Sequence, residues 1–175
     1  MPPSPQLKTL PPKTRQALAA FLGLGALYGL GLGLDAMPNS SSPGTQWAVW
    51  AVGIGLVLFA MVAGWLLWRG SPLGWPLALW AYFFQLPHFE ANGFQYWFYT
   101  TAQANAWLNT SGDIGLGLEW GTTFRVFLGG EVETTVIGVN LVAALAIYAL
   151  LRTDPAQPPR SPTVSIDHTS GSAAG

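Results

Sequence analysis

Long uninterrupted apolar runs dominate the first half of the chain. Residues 17–34 contain no charged side chain. Eighteen residues of α-helix at about 1.5 Å per residue cover roughly 27 Å, which is close to the thickness of a bilayer core. A second apolar run, 47–68, has tryptophans at both ends, where the two membrane interfaces would lie. The pattern predicts a membrane-spanning helix in each run.

Two further apolar runs predict two further spans. The third covers 73–91, although Pro87 near its far end disfavours helix at the preceding residue and predicts a kink or stop near Leu86. The fourth covers 132–151, with glutamates at its start and an arginine after its end, which suits the helix dipole. The predicted organisation is a Pro-rich arm (1–16), a four-helix membrane domain (17–151) and a polar, disordered tail (152–175).

Between the third and fourth runs, residues 92–130 change to a period of two. Ile114, Leu116, Leu118 and Trp120 alternate with glycine and glutamate, and a second alternation follows over 123–128. Strict alternation is typical of half-buried strands. Gly129-Gly130 is interpreted as the break before the last helix, because a hairpin there would leave that helix too short to cross.

The predicted fold is therefore a mainly α membrane protein. It has four transmembrane helices and a small antiparallel β insert of two to four strands on the outer face between helices 3 and 4.

The distribution of basic residues predicts the orientation. If all four runs cross, six of the seven basic residues share one side of the membrane and Arg125 lies on the other. The positive-inside rule then predicts an integral protein of the bacterial inner membrane with both termini cytoplasmic. A cleaved signal peptide ending near Asp35 is the alternative for the first run. The length of that run and the leucine before Asp35 favour a retained anchor.

Composition excludes several classes of function. Charged residues make up 9% of the chain, against about 25% in soluble domains. Seven lysines and arginines give no basic stripe for nucleic acid. The absence of cysteine excludes disulfides, thiolate metal sites, iron–sulfur clusters and thiol catalysis. No nucleotide-binding or hydrolase motif occurs either, and the chain is predicted not to be an enzyme.

Two features predict helix–helix packing. Gly25, Gly29 and Gly33 recur every four residues on the first span, a spacing that lets another helix approach closely. Asn140 lies near the middle of the fourth predicted span, where a buried amide needs a protein partner. These residues are predicted to hold helices together, with oligomer contact or a pore as the alternatives.

His88 is the candidate cofactor residue. A histidine near a membrane interface can ligate haem or a chlorophyll-type pigment, and Glu90 is close enough in sequence to orient its ring. The competing interpretation is an ordinary interfacial histidine with no cofactor. A metal site is not predicted. Glu119, Glu131 and Glu133 are predicted to form an acidic outer rim.

These observations favour a non-catalytic accessory or assembly subunit of a larger integral membrane complex. Its expected partners are the lipid bilayer and other membrane subunits or further copies of itself, and no nucleic acid. A small oligomeric transporter or channel with an acidic outer rim is one alternative. A pigment- or haem-associated subunit that binds through His88 is the other.

Overall fold

The computed structural model describes residues 8–128 and 134–154. In chain order the elements are β1 (Lys8–Thr9), α1 (Pro12–Asp35), α2 (Gly44–Trp68), α3 (Gly74–Phe84), β2 (Pro87–Ala91), β3 (Phe94–Tyr99), β4 (Ala102–Asn109), β5 (Ile114–Trp120), β6 (Thr123–Leu128), β7 (Val136–Asn140), α4 (Leu141–Leu151) and β8 (Thr153–Asp154).

The first two helices form a closely packed pair. Proline fixes the start of each, since Pro12 is the first residue of α1 and Pro43 immediately precedes α2. A Cβ placed on Gly64 of α2 would lie 2.8 Å from Gly23 N of α1, so the two backbones touch. Trp50 Nε1 donates a 2.7 Å hydrogen bond to Gly33 O across the pair. Both helices are long and apolar enough to cross a membrane, by length and composition alone.

The prediction of four spans is wrong. Helices α3 and α4 have 11 residues each and are therefore about 16 Å long, roughly half of a bilayer core. Pro87, which lacks an N–H, begins strand β2, and α3 has already ended at Phe84. The predicted start of the fourth span is strand β7, which pairs with β2 on one side and β4 on the other.

The sheet is also larger than the predicted insert. Six strands pair in the order β5-β4-β7-β2-β3-β6, and every pair in it is antiparallel. The two runs of period two coincide with β5 and β6. In the described part of the chain, four helices, two of them short, and a six-stranded sheet make a mixed α and β fold, not a helical membrane bundle with a small insert.

The sheet is strongly curled. Its edge strands, β5 and β6, are joined by Gly121 and Thr122 alone, whereas the edges of a flat six-stranded sheet would lie roughly 24 Å apart. Two linking residues extend over about 11 Å at most between Trp120 and Thr123. The strand ends at this corner must therefore bend toward each other, which gives the sheet a concave and a convex face.

The two faces differ in chemistry. Side chains that reach across the curl, such as Trp97, Tyr99 and Gln103, share the concave face with His88 and Glu119. The convex face is apolar, and part of it packs on the helices. Phe98 is buried among them, Tyr96 donates its hydroxyl to Phe84 O at 2.7 Å, and Phe124 lies against Gly53 of α2.

Candidate functional site

The concave face holds a continuous hydrogen-bonded chain of polar side chains. Trp97 Nε1 donates to Gln103 Oε1 at 3.2 Å, and Gln103 Nε2 donates to Glu119 Oε2 at 2.9 Å. The same carboxylate oxygen accepts the Tyr99 hydroxyl at 2.8 Å, and Tyr99 in turn accepts the Thr123 hydroxyl at 3.2 Å. These five residues come from strands β3, β4, β5 and β6, so the curl of the sheet creates the network.

Burial is greatest in the middle of this network. Gln103 and Tyr99 are both buried, whereas Glu119 is exposed at the rim. Burial raises the pKa of the Tyr99 phenol above its ordinary value of 10.0. The phenol therefore keeps its proton and serves as the donor to Glu119.

His88 lies beside the network, in the centre of the sheet. Its side chain is 7% exposed, and its ring stacks on the indole of Trp97 with centroids 4.0 Å apart and planes 12° from parallel. Gly138 on the neighbouring strand makes room for the ring, because a Cβ there would lie 3.2 Å from His88 Nδ1 and from Trp107 Cβ.

Neither ring nitrogen of His88 has a hydrogen-bond partner among the described residues, and the same holds for Asn105 Oδ1 on β4. Burial lowers the pKa of His88 below its ordinary value of 6.5, while Glu90 and Glu119 oppose the shift. Imidazole nitrogens left without partners at such a depth are costly unless a water or a ligand satisfies them. On the concave face, His88 and Asn105 are therefore buried polar side chains with atoms that no described residue satisfies.

The surroundings of His88 do not fit a flat macrocycle. Trp97 covers one face of the ring, and Nδ1 lies against Gly138 beside Trp107. Glu90, expected to orient the imidazole, instead accepts a 2.7 Å hydrogen bond from Gln95 Nε2. Within 8–128 and 134–154, no group of three or more histidine, cysteine, aspartate or glutamate side chains converges to hold a metal ion.

The three spaced glycines of α1 meet different neighbours. Gly25 lies against Thr101 and Gly29 against Thr122, two threonines in turns of the sheet, and Gly33 lies against Ile54 of α2. Thr101 donates its hydroxyl to Phe21 O, and Thr122 donates its hydroxyl to Gly25 O at 2.7 Å. Gly25 and Gly29 thus allow close packing of the sheet on α1, and Gly33 allows close packing of helix α2.

Asn140 is the N-cap of α4. Its Oδ1 accepts the backbone N–H of Val142 at 3.0 Å and that of Ala143 at 3.4 Å, which satisfies two N–H groups that the helix leaves free. It also ends strand β7, and its own N–H donates to Leu86 O at 2.9 Å. The residue therefore lies at the junction of sheet and helix.

The predicted acidic rim is described only in part. Glu119 belongs to the concave network, as above. Glu131, Glu133 and the glycines of the proposed break, Gly129 and Gly130, lie outside the described residues.

A second concavity lies between the α1–α2 pair and strand β6. It has a volume of about 660 Å³ and is lined mainly by small and apolar residues of both helices and of the loop that joins them, and by residues 122–126. Arg125 is the cationic residue in this lining, and its guanidinium also lies 5.7 Å from the centre of the Trp97 ring. The cavity has the size of a small-molecule site.

Sequence analysis missed most of the concave residues. The signal for one strand was present, since Gln103, Asn105 and Trp107 alternate with alanines over Ala102–Leu108. Alanine is a poor strand former, so this alternation is a weak indication of a strand. Thr101 adopts a positive φ of 77°, and nothing in the sequence pattern indicates that backbone conformation.

No family model matches the chain, and neither the curated proteins nor the solved structures include one that is significantly similar to it.

Proposed function

We propose that this protein is a non-catalytic accessory subunit of a membrane-protein complex. The observation that carries the proposal is an uncovered apolar row on the edge strand β5. Its four convex side chains, Ile114, Leu116, Leu118 and Trp120, are 80%, 80%, 66% and 74% exposed. Contiguous apolar surface of this kind is typical of sites that contact another protein or a membrane.

The row continues across the sheet. Leu108 on β4 pairs with Ile114 on one side and with Ile137 of β7 on the other. Leu108 and Ile137 are both more than half exposed. Together the four side chains of β5 with Leu108, Ile137 and Val139 form what we call the convex patch. The helices pack on the other part of the convex face, and within residues 8–128 and 134–154 the patch stays exposed.

The position of the sheet along α1 supports a membrane setting. Phe21 and Gly25, whose carbonyls accept the two threonine hydroxyls, lie near the middle of α1. If α1 and α2 cross the bilayer, part of the sheet lies at bilayer depth. A sheet with an apolar convex face and a polar concave face is compatible with that depth. An open strand edge is not compatible with it, because unpaired backbone groups are costly in hydrocarbon. A protein partner over β5 removes that cost.

The charges at the two ends of the helix pair support one orientation. Arg69 follows α2 and Arg152 follows α4, and strand β1 pairs with β8, which brings the two ends of the described chain together. Lys13 and Arg15 lie in the first turn of α1 at the same end. By the positive-inside rule this end faces the cytoplasm, which gives a bacterial inner-membrane protein with both termini cytoplasmic.

The test uses the full-length protein, purified in mild detergent and analysed by native mass spectrometry. We expect it to be recovered with another membrane chain in a fixed ratio. The double substitution Leu116→Lys and Leu118→Lys should abolish that recovery without lowering the melting temperature, because both side chains are exposed. Ser111→Lys, in the adjacent exposed turn, is the matched control for added charge and should keep the partner.

Recovery of the wild type without any other chain, from both mild detergent and lipid nanodiscs, would contradict the proposal. Loss of the partner in the Ser111→Lys control as well would show that charge alone, and not the convex patch, governs the association.

A further inference from the structure

We propose that β5 pairs with the β5 strand of a second copy of this chain, antiparallel and centred on Gly117. This inference rests on the proposed function in placing β5 against a protein. It assigns the strand edge of β5 to a second copy of this chain and leaves the convex patch to the other membrane chain. Its test measures a covalent link between two copies. The pairing of two copies can therefore fail while a heteromeric complex is still recovered, and the heteromeric complex can fail while the covalent dimer forms.

The outer side of β5 is an open edge without the usual protection. One side of the strand pairs with β4 along its whole length, and no strand in the described part of the chain pairs with its other side. Edge strands of monomeric proteins commonly carry lysine, proline or a bulge that prevents pairing. None of these occurs in Ile114–Trp120, whose one charge is Glu119. The opposite edge, β6, lies against α2 through Phe124 and Gly53.

The hydrogen bonds to β4 determine which backbone groups of β5 point outward. Asn109 N donates to Asp113 O, and Gly121 N donates to Thr101 O. Hydrogen-bonded pairs alternate along an antiparallel ladder, so Gly115, Gly117 and Glu119 direct their backbone groups toward β4. The outward N–H and C=O groups are those of the residues between them, on the row Ile114, Leu116, Leu118 and Trp120.

A two-fold axis at Gly117 uses those outward groups. Leu116 of one copy then faces Leu118 of the other in a hydrogen-bonded pair, and Ile114 faces Trp120. The two apolar rows lie side by side on one face, where cross-strand pairs of large apolar side chains are favourable. The whole strand is paired, and the two-fold symmetry closes the assembly at two copies.

Charge selects this register over its neighbours. Centred on Gly117, Glu119 faces Gly115, so no carboxylate opposes another. A centre at Leu116 would set Glu119 opposite Asp113, and a centre at Glu119 would set two glutamates directly opposite, which is destabilising. A centre at Leu118 avoids that conflict but leaves Ile114 outside the paired row. The self-complementary pattern is the reason for preferring a second copy to an unrelated strand.

The chain has no cysteine, so a single introduced cysteine reports this contact without background. In the proposed register, Gly117 faces its symmetry mate in a non-hydrogen-bonded pair. The Cα atoms of such a pair lie about 4.5 Å apart, within the range that a disulfide spans. A Cβ at Gly117 meets no atom within 4 Å, so Gly117→Cys fits the monomer. Ile114→Cys is the matched control, since its symmetry mate lies six residues along, about 20 Å away.

The full-length variants are oxidised mildly in detergent and run on a non-reducing gel. We expect most of the Gly117→Cys protein to run as a covalent dimer and the Ile114→Cys protein to stay monomeric. Adding Leu116→Lys to Gly117→Cys should reduce the dimer at least tenfold. A monomeric Gly117→Cys protein would overturn the proposal, as would equal cross-linking at both positions or a dimer that is unaffected by Leu116→Lys.

Discussion

The hydroxyl of Tyr99 on β3 donates a 2.8 Å hydrogen bond to the carboxylate of Glu119 on β5, although three strands lie between β3 and β5 in the sheet. In a flat sheet these strands would be roughly 19 Å apart. The bond therefore exists only in the curled sheet, and it ties one edge strand to the interior of the curl.

Tyr99→Phe should destabilise the protein. The substitution removes the donor to Glu119 and the acceptor of the Thr123 hydroxyl. Because Glu119 is exposed and Thr123 is only partly buried, we expect a loss of about 0.5–1.5 kcal/mol, the net contribution of a typical intramolecular hydrogen bond. Chemical unfolding in mild detergent measures the change in the free energy of unfolding. Tyr28→Phe, at a side chain that is 57% exposed, is the control and should change it by less than about 0.5 kcal/mol. Equal effects of the two substitutions would contradict a structural role for the bond.

Stability should fall as the pH is lowered from 7.5 to 5.5, and His88 should account for the fall. Burial holds the pKa of His88 below 6.5 in the folded protein, so the unfolded chain takes up the proton first. The stabilisation is complete above the unfolded pKa and is lost as the pH falls toward the folded one. Its size is about 1.4 kcal/mol for each unit between the two pKa values.

Melting temperatures across that pH range provide the measurement for His88. His88→Phe should flatten the dependence, because the ring no longer titrates. His168→Gln removes the other histidine of the chain and should leave the dependence unchanged. If His88→Phe keeps the wild-type slope, the pH dependence arises elsewhere.

Local pattern predicted those parts of the fold that local forces determine. Helix α2 covers Gly44–Trp68 against an expected 47–68, and β5 covers the alternating run itself. Strand β7 was missed because its apolar, β-branched sequence fits a helix or a buried strand equally well. Its pairing with β2 and β4, segments about 30 to 50 residues earlier in the chain, decides between them.

The same limit applies to the candidate site. His88 was singled out for its chemistry and its place after Pro87, and the structure puts it in a strand against Trp97. That contact depends on the pairing of β2 with β3, which the predicted third span had excluded. The alternation around Gln103 indicates a strand at most. Nothing in the sequence indicates that Gln103 and Tyr99 meet Glu119, because they do so only through the curl.

Two glycines of α1, two residues apart, should respond oppositely to alanine. A Cβ at Gly25 would overlap the Thr101 hydroxyl and lie 2.7 Å from Thr101 N, whereas a Cβ at Gly23 meets nothing within 4 Å. Gly25→Ala should therefore lose about 1–3 kcal/mol of stability through overpacking. Gly23→Ala should gain roughly 0.5–1 kcal/mol from better helix propensity. Unfolding in detergent distinguishes them, and a gain in both would show that the turn at Thr101 does not rest on α1.

Accessibility of single cysteines tests the orientation of the helix pair. If α1 and α2 cross the membrane with the basic end inside, Ser42→Cys in the loop between them lies outside, and Ser71→Cys after α2 lies in the cytoplasm. In intact cells an impermeant maleimide should label position 42 and spare position 71, and lysed cells should show labelling at both. Labelling of position 71 in intact cells would contradict the orientation.

The threonine anchors of α1 also bear on how the chain is synthesised. Thr101 lies 80 residues after its acceptor on α1, and Thr122 lies 97 residues after its own. At a translation rate of about 5–20 residues per second, the ribosome needs roughly 5–20 s to deliver both. During that interval the face of α1 around Gly25 and Gly29 has α2 beside it but not yet the sheet. A nascent chain arrested before Thr101 therefore presents a surface that the finished protein hides.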